Sequence, residues 1–295
     1  MASHALTRQS PALKRLWAYL LERFPPVAYS LLVAFFYGSA LLVASRLSGQ
    51  DAVFRWQAPV VMLLLFFHLR IFDEHKDAKE DLDAYPDRLL SQGIVSLSFL
   101  RRTAVIAIGL QAGLSASLGQ AAFLAWAACF AFTLLMLAEF FVGKWLNQRM
   151  LVYAISHNPI TPLLGVFAWA STGLNWQNPF GWYLASAALG AFAFELGRKL
   201  RLPSEEQAGV STYSNVYGRS RAAFVIATTT LLSIACTLPL VDRFATKEGL
   251  AGCLLVLAAT GVLATTLRPV RAKGVEGACT ALLLIVFLVF GVISW

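Results

Sequence analysis

The sequence predicts an all-α protein, a polytopic membrane bundle of nine transmembrane helices, and three observations carry that prediction. Hydrophobic residues make up 58% of the 295 positions and charged residues only 14%, with a mean hydropathy of +0.65. An ordinary soluble domain carries about 25% charged residues. The apolar residues gather in runs close to the ~20 residues a helix needs to cross a bilayer. The basic residues between the runs are dense on one side and sparse on the other, as the positive-inside rule requires.

In chain order, residues 1–26 form an interfacial helical segment. Leu13, Leu16, Trp17, Leu20 and Leu21 share one helical face, while Arg8, Lys14, Arg15, Glu22 and Arg23 interrupt any continuous apolar core. The segment therefore reads as lying along the membrane surface and not as a signal peptide. Residues 27–295 form the transmembrane domain, with spans bounded by Val27 to Ser45, Phe54 to Phe72, Thr103 to Leu118, Ala121 to Phe141, Leu151 to Ala170, Trp182 to Leu196, Ala222 to Val241, Leu250 to Leu267 and Ala278 to Trp295. With a cytoplasmic N-terminus, every one of the 24 Lys and Arg residues except Arg46, Arg55, Arg243 and Lys247 falls inside. The expected setting is a multi-pass protein of a bacterial cytoplasmic membrane, with its charged loops on the cytoplasmic face. Four scattered cysteines without Cys-x-x-Cys spacing argue against a zinc site or a disulfide framework. The net charge of +8 comes with no basic and aromatic module, so nucleic acid is not an expected partner.

The acidic residues are less evenly spread. Seven of the 16 lie between Asp73 and Asp87, after the second span, and Glu195, Glu205 and Glu206 lie at and beyond the inner end of the sixth. Asp73, Asp77 and Asp81 are spaced by four, so on a helix each step rises ~6 Å and turns only ~40°, giving one carboxylate stripe. Like charges at that spacing repel unless a cation joins them. Mg²⁺ takes one or two carboxylates and fills its other positions with water and substrate phosphate. Two carboxylate groups facing each other across a bundle would thus hold a diphosphate through Mg²⁺. Arg70, Lys144, Arg149, Arg198 and Lys199 on the same side would balance its charge.

The stretch continues through Arg88, Gly93 and Ser96, and here the chain resembles the UbiA superfamily of intramembrane prenyltransferases. That family carries Asn-x-x-x-Asp-x-x-x-Asp, then an Arg, a Gly and a Ser at the spacings that Asp73, Asp77, Asp81, Arg88, Gly93 and Ser96 show. Asp73 stands where the family has Asn, and Leu89 where it has Pro. The counterpart of the family's second acidic motif is Glu195 with Glu205 or Glu206. Glu replaces Asp there and the gap is longer, although the interval from Gly209 to Gly218 matches the family tail. The resemblance implies a nine-helix fold, Mg²⁺ as cofactor, a polyprenyl diphosphate as substrate and an acceptor of unidentified kind in the membrane. It implies metal ligation by Asp73, Asp77, Asp81, Glu195, Glu205 and Glu206, and a diphosphate grip that includes Arg88, Lys144 and Arg149.

Lesser polar residues are weighed against packing. Tyr153, His157 and Asn158 open the fifth span and need partners or a watery cavity, with Tyr153 and Asn158 expected to touch substrate. Glu139 reads as pairing locally near the interface, and His68 as a hydrogen-bonded packing residue. Two other activities fit the same pattern: a terpene cyclase, in which the ionised prenyl chain captures itself, and an ion-coupled transporter whose acids carry a cation.

Overall fold

The computed structural model describes residues 6–78, 85–206, 210–244 and 248–294. The helices are α1 (Ala12–Arg23), α2 (Pro26–Ser48), α3 (Gln57–Lys76), α4 (Leu97–Ser117), α5 (Gln120–Leu137), the short α6 (Gly143–Asn147), α7 (Met150–His157), α8 (Ile160–Ala170), α9 (Phe180–Gly197), the short α10 (Tyr213–Tyr217), α11 (Arg219–Ala235), α12 (Leu238–Phe244), α13 (Glu248–Leu267) and α14 (Ala272–Ser294). Local chemistry sets many of their ends. Proline at the first turn of α2 costs no helix hydrogen bond, and Gly49 closes that helix with φ +66°. Ser96, the last residue of the first acidic motif, caps α4: its hydroxyl accepts from the Phe99 amide at 3.2 Å. Asn158 and Pro159 break the fifth span into α7 and α8.

The long helices close a circuit in which each packs on the next, α2, α3, α4, α5, α8, α9, α11, α13 and α14, and α14 returns to α2. Both α2 and α9 also contact α14 and each other, which places them nearest the middle. Seven helical segments among the described residues are long and apolar enough to cross a membrane: α2, α4, α5, α7 with α8, α11 with α12, Leu250–Leu267 in α13, and α14. The expected nine is therefore met only in part. The two expected spans outside that set, in α3 and α9, are those whose helix ends carry Arg70, Asp73, Glu74 and Lys76 and, on α9, Glu195.

Residues such as Val105, Ile106, Leu124, Phe224, Val256 and Leu257 face outward, more than half exposed. Water would not tolerate so apolar an exterior, whereas a bilayer does, and the protein is an integral multi-pass membrane protein. With lipid outside, helix association rests on close approach and on interhelical hydrogen bonds. Both occur. Ser186 and Ser233 each donate to the other's carbonyl, at 2.9 and 2.8 Å, joining α9 to α11. Tyr183 donates to the Phe36 carbonyl at 2.8 Å, joining α9 to α2. Completely buried His68 lies 3.1 Å from Thr133 Oγ1 through Nε2 and 3.0 Å from the Gln111 amide through Nδ1, and Trp126 Nε1 donates to Gln111. That network ties α3, α4 and α5, so His68 has the packing role expected of it.

The interfacial helix α1 is more tightly docked than its sequence suggests. Its single apolar face divides: Leu16 and Leu20 join buried Tyr19 and Phe24 against Phe67, Ile71, Val95 and Leu100, while Leu13, Trp17 and Leu21 point outward.

A Cβ on Gly197 would lie 2.5 Å from Cys279 Sγ, so α9 and α14 touch there only because residue 197 has no side chain. Gly197→Ala is expected to destabilise the protein by ~1–3 kcal/mol in detergent, as overpacked sites do, with Cys279→Ala recovering part of the loss. Thermal denaturation of the single and double variants measures both.

Candidate functional site

The ends of α3 and α9 lie within electrostatic range of each other, and charge at each is arranged by near neighbours. Asp73 is 42% exposed and pairs with Lys76 at 3.4 Å. Lys76 also donates to the Tyr153 hydroxyl at 2.9 Å, bringing the start of α7 to the acidic end of α3. Asp77 closes α3, its amide bonded to the Asp73 carbonyl. On α9, Glu195 accepts from Arg198 at 2.5 and 3.1 Å and pairs with Lys199 at 3.1 Å. Burial works against the Arg198 charge, but Glu195 outweighs it and holds the guanidinium pKa above its usual value. Asp73 acts electrostatically on Arg198, on Tyr153 and on Tyr29 of α2, and Tyr213 of α10 lies in the field of both Glu195 and Tyr153. Asp73, Lys76, Asp77 and Tyr153 at the end of α3 thus share an electrostatic neighbourhood with Arg198, the partner of Glu195.

Behind it lies a residue the sequence reading passed over. Glu74 is 1% exposed and accepts from Arg23 of α1 at 2.7 Å and from Arg70 at 2.7 and 3.2 Å. A carboxylate so buried needs this compensation. Its only sequence signal is a position next to Asp73 but ~100° around the helix, facing the core. Arg70, expected at the diphosphate, is engaged by Glu74 at this position.

The other expected residues, where described, have contacts of their own. Asp81 lies outside the described residues, as does Gly209. Glu205 accepts from the amides of Leu202 and Ala272, both at 3.0 Å, and so caps the first turn of α14. Those two amides hold its carboxyl below the usual carboxylate range. Glu206 accepts from the Thr212 and Ser214 hydroxyls, each at 2.7 Å, and orders the start of α10. Neither glutamate is brought to Asp73 by a contact. Asn158 donates to the Ala188 carbonyl at 3.1 Å, tying α7 to α9. Lys144 is exposed, and exposed Arg149 lies over Trp145 and donates to its carbonyl. Arg88 stacks on Tyr85 at 3.6 Å in the loop leading to Gly93. That loop is docked on α1, where Glu22 accepts from the Leu89 amide and Arg15 donates to the Ile94 carbonyl. Among the described residues, no three His, Cys, Asp or Glu side chains group closely enough to hold a metal ion.

No protein-family model matches this chain, and no curated protein matches it by sequence. Among solved structures it is similar to a digeranylgeranylglyceryl phosphate synthase, a UbiA-superfamily membrane prenyltransferase. That structure has 16% sequence identity and a TM-score of 0.63, over 95% of this chain and 99% of that one. At that identity the likeness is one of fold. The all-α membrane bundle implied by the UbiA resemblance is observed, with its nine helices met only in part, in a sequence far diverged from that neighbour.

Two measurements check this description. Glu74→Leu strands two guanidinium groups and is expected to cost ~2 kcal/mol, read as a lowered melting temperature in detergent. Because its folded pKa is depressed, Glu205 contributes stability above its unfolded pKa, and that contribution is lost as the pH falls through the folded value. Glu205→Gln should therefore melt below wild type at pH 7, and the gap should close as the pH falls through the depressed folded value.

Proposed function

We propose that the protein transfers a prenyl group from a polyprenyl diphosphate to an aromatic or lipid-like acceptor within the membrane, at the cytoplasmic end of the bundle, with Mg²⁺ as cofactor. The observation that supports this reading is that Asp73, at the acidic end of α3, lies within electrostatic range of Arg198, in the Glu195–Arg198–Lys199 end of α9, on a fold shared with a membrane prenyltransferase. Mg²⁺ asks for hard oxygen donors and commonly takes only one or two from protein, the rest coming from water and phosphate. Asp73, 42% exposed and held by a single long ion pair, meets that requirement, and Asp77 follows one turn on. Asp81 continues the same spacing. When bound, the ion neutralises charge on the departing diphosphate.

The chain's own groups do the remaining work. In this reading Arg198 and Lys199 bind diphosphate oxygens, exchanging part of their hold on Glu195 for the anion. Lys76 holds the Tyr153 hydroxyl by a hydrogen bond. The apolar bundle keeps bulk water from the allylic carbon, so the acceptor captures it first. In this reading Glu205, Glu206 and Asn158 position the loops and helices around the site, and Arg70 acts through Glu74.

The test is turnover of farnesyl diphosphate with Mg²⁺ by purified protein in lipid nanodiscs. Asp77→Ala and Asp73→Ala are each expected to lower the rate by about 10²-fold or more while leaving the fold intact. Full activity in Asp77→Ala would remove this site from the chemistry. Release of diphosphate with a cyclic hydrocarbon, and no other product, would replace transfer by cyclisation. Cation flux without diphosphate release would make the protein a transporter.

A further inference from the structure

His157, at the end of α7, is not used by the site as described so far. Its Nδ1 lies 2.8 Å from the Tyr153 carbonyl, an acceptor only, so Nδ1 carries the hydrogen. The Nε2 atom is left with its lone pair, and it is buried with no hydrogen-bond partner among the described residues. Buried polar atoms in folded proteins nearly always have partners, and an exception asks for a reason. His68 supplies the comparison within the same molecule: it is more deeply buried, and both its ring nitrogens are engaged.

A chain of contacts links this ring to the acidic end of α3. The His157 ring stacks on Tyr153 at 4.0 Å and 13°, and the Tyr153 hydroxyl is bonded to Lys76, the partner of Asp73. On the other side, the Phe140 ring meets His157 edge-on at 5.4 Å. Phe140 is brought there by an unusual backbone: Glu139, Phe140 and Phe141 all have positive φ, at 47°, 53° and 62°. Three consecutive non-glycine residues in the left-handed region are strained, and such strain collects at functional sites. The charged groups whose fields reach the ring are Lys76, Asp73 and Glu139.

We propose that His157 Nε2 accepts the proton that the acceptor loses as it is prenylated. This rests on the prenyl-transfer reading and narrows it, because the acceptor must be a nucleophile with a proton to give up, such as a hydroxyl or an activated aromatic C–H. The allylic C–O bond breaks with its electron pair leaving on the diphosphate. The acceptor's electron pair forms the new bond to the allylic carbon. Its proton passes to the Nε2 lone pair, and the resulting imidazolium keeps its Nδ1–H on the Tyr153 carbonyl. The departing diphosphate or water then takes the proton, restoring the neutral ring.

The test uses the full chain in nanodiscs, with ¹⁵N-labelled histidine assigned through His157→Gln, and the non-ionising analogue farnesyl thiodiphosphate with Mg²⁺ as ligand. The expected spectrum at pH 7.5 shows His157 as the neutral Nδ1–H tautomer with an unprotonated Nε2, free and in the complex. An Nε2–H tautomer or a permanent imidazolium overturns the proposal. His157→Gln and His157→Phe are expected to bind the analogue within about twofold of wild type. Their kcat on farnesyl diphosphate should fall by about 10²-fold with KM unchanged, and the acid limb of the pH–rate profile should disappear. Wild-type kcat in both variants overturns the proposal while leaving prenyl transfer standing. Failure of wild type itself to bind the analogue overturns the prenyl-transfer reading first.

Discussion

The structure depends on how carboxylates at the ends of apolar helices are compensated. A carboxylate cannot be carried to the edge of a bilayer without a cation, a set of donors or water to receive it. Glu74 is met by Arg23 and Arg70, Glu195 by Arg198 and Lys199, and Asp73 by Lys76, which in turn holds Tyr153. Each pairing also joins elements or fixes a helix end. The Arg23 pair anchors α1 to α3, the Lys76 bond joins α3 to α7, and the Glu195 cluster closes α9. Only Asp73 among the three is both substantially exposed and weakly held, and that difference marks it out from the structural pairs around it.

Much of the fold was legible because its causes are local. Long apolar runs give helices, and the density of Lys and Arg between them gives alternation. The spacing of Asp73, Asp77, Asp81, Arg88, Gly93 and Ser96 carried a resemblance whose all-α membrane bundle agrees with the structure. What escaped the sequence depends on three-dimensional partners. Glu74 looked like one more acid in a charged stretch, and only burial against α1 and α3 separates it from Asp73. Glu205 read as a metal-ligand candidate, and spacing gave no sign of the contact it makes with the start of α14, 67 residues on in sequence. The apolar face of α1 read as one surface because periodicity records that residues are apolar, not which neighbour covers them. Of the nine expected spans, seven have helices long and apolar enough to cross a membrane among the described residues; α3 and α9 are not in that set.

The polar groups inside the bundle divide in the same way. His68, Gln111, Trp126 and Thr133 satisfy one another and leave nothing over, which suits a network that holds three helices together. The Tyr153–His157 pair is anchored on one side only, with Lys76 on the hydroxyl and a strained turn pressing Phe140 against the imidazole. Satisfied groups stabilise; a group left open at a constrained position is available for chemistry.

The central claim is that the ends of α3 and α9 form one diphosphate site that uses Mg²⁺. Calorimetric titration of the purified protein with inorganic diphosphate, with and without Mg²⁺, tests it most directly. The account predicts binding that requires Mg²⁺ and is weakened at least about tenfold by Asp73→Asn and by Arg198→Gln separately, one substitution on each helix. Metal-independent binding, or binding indifferent to both substitutions, would contradict it.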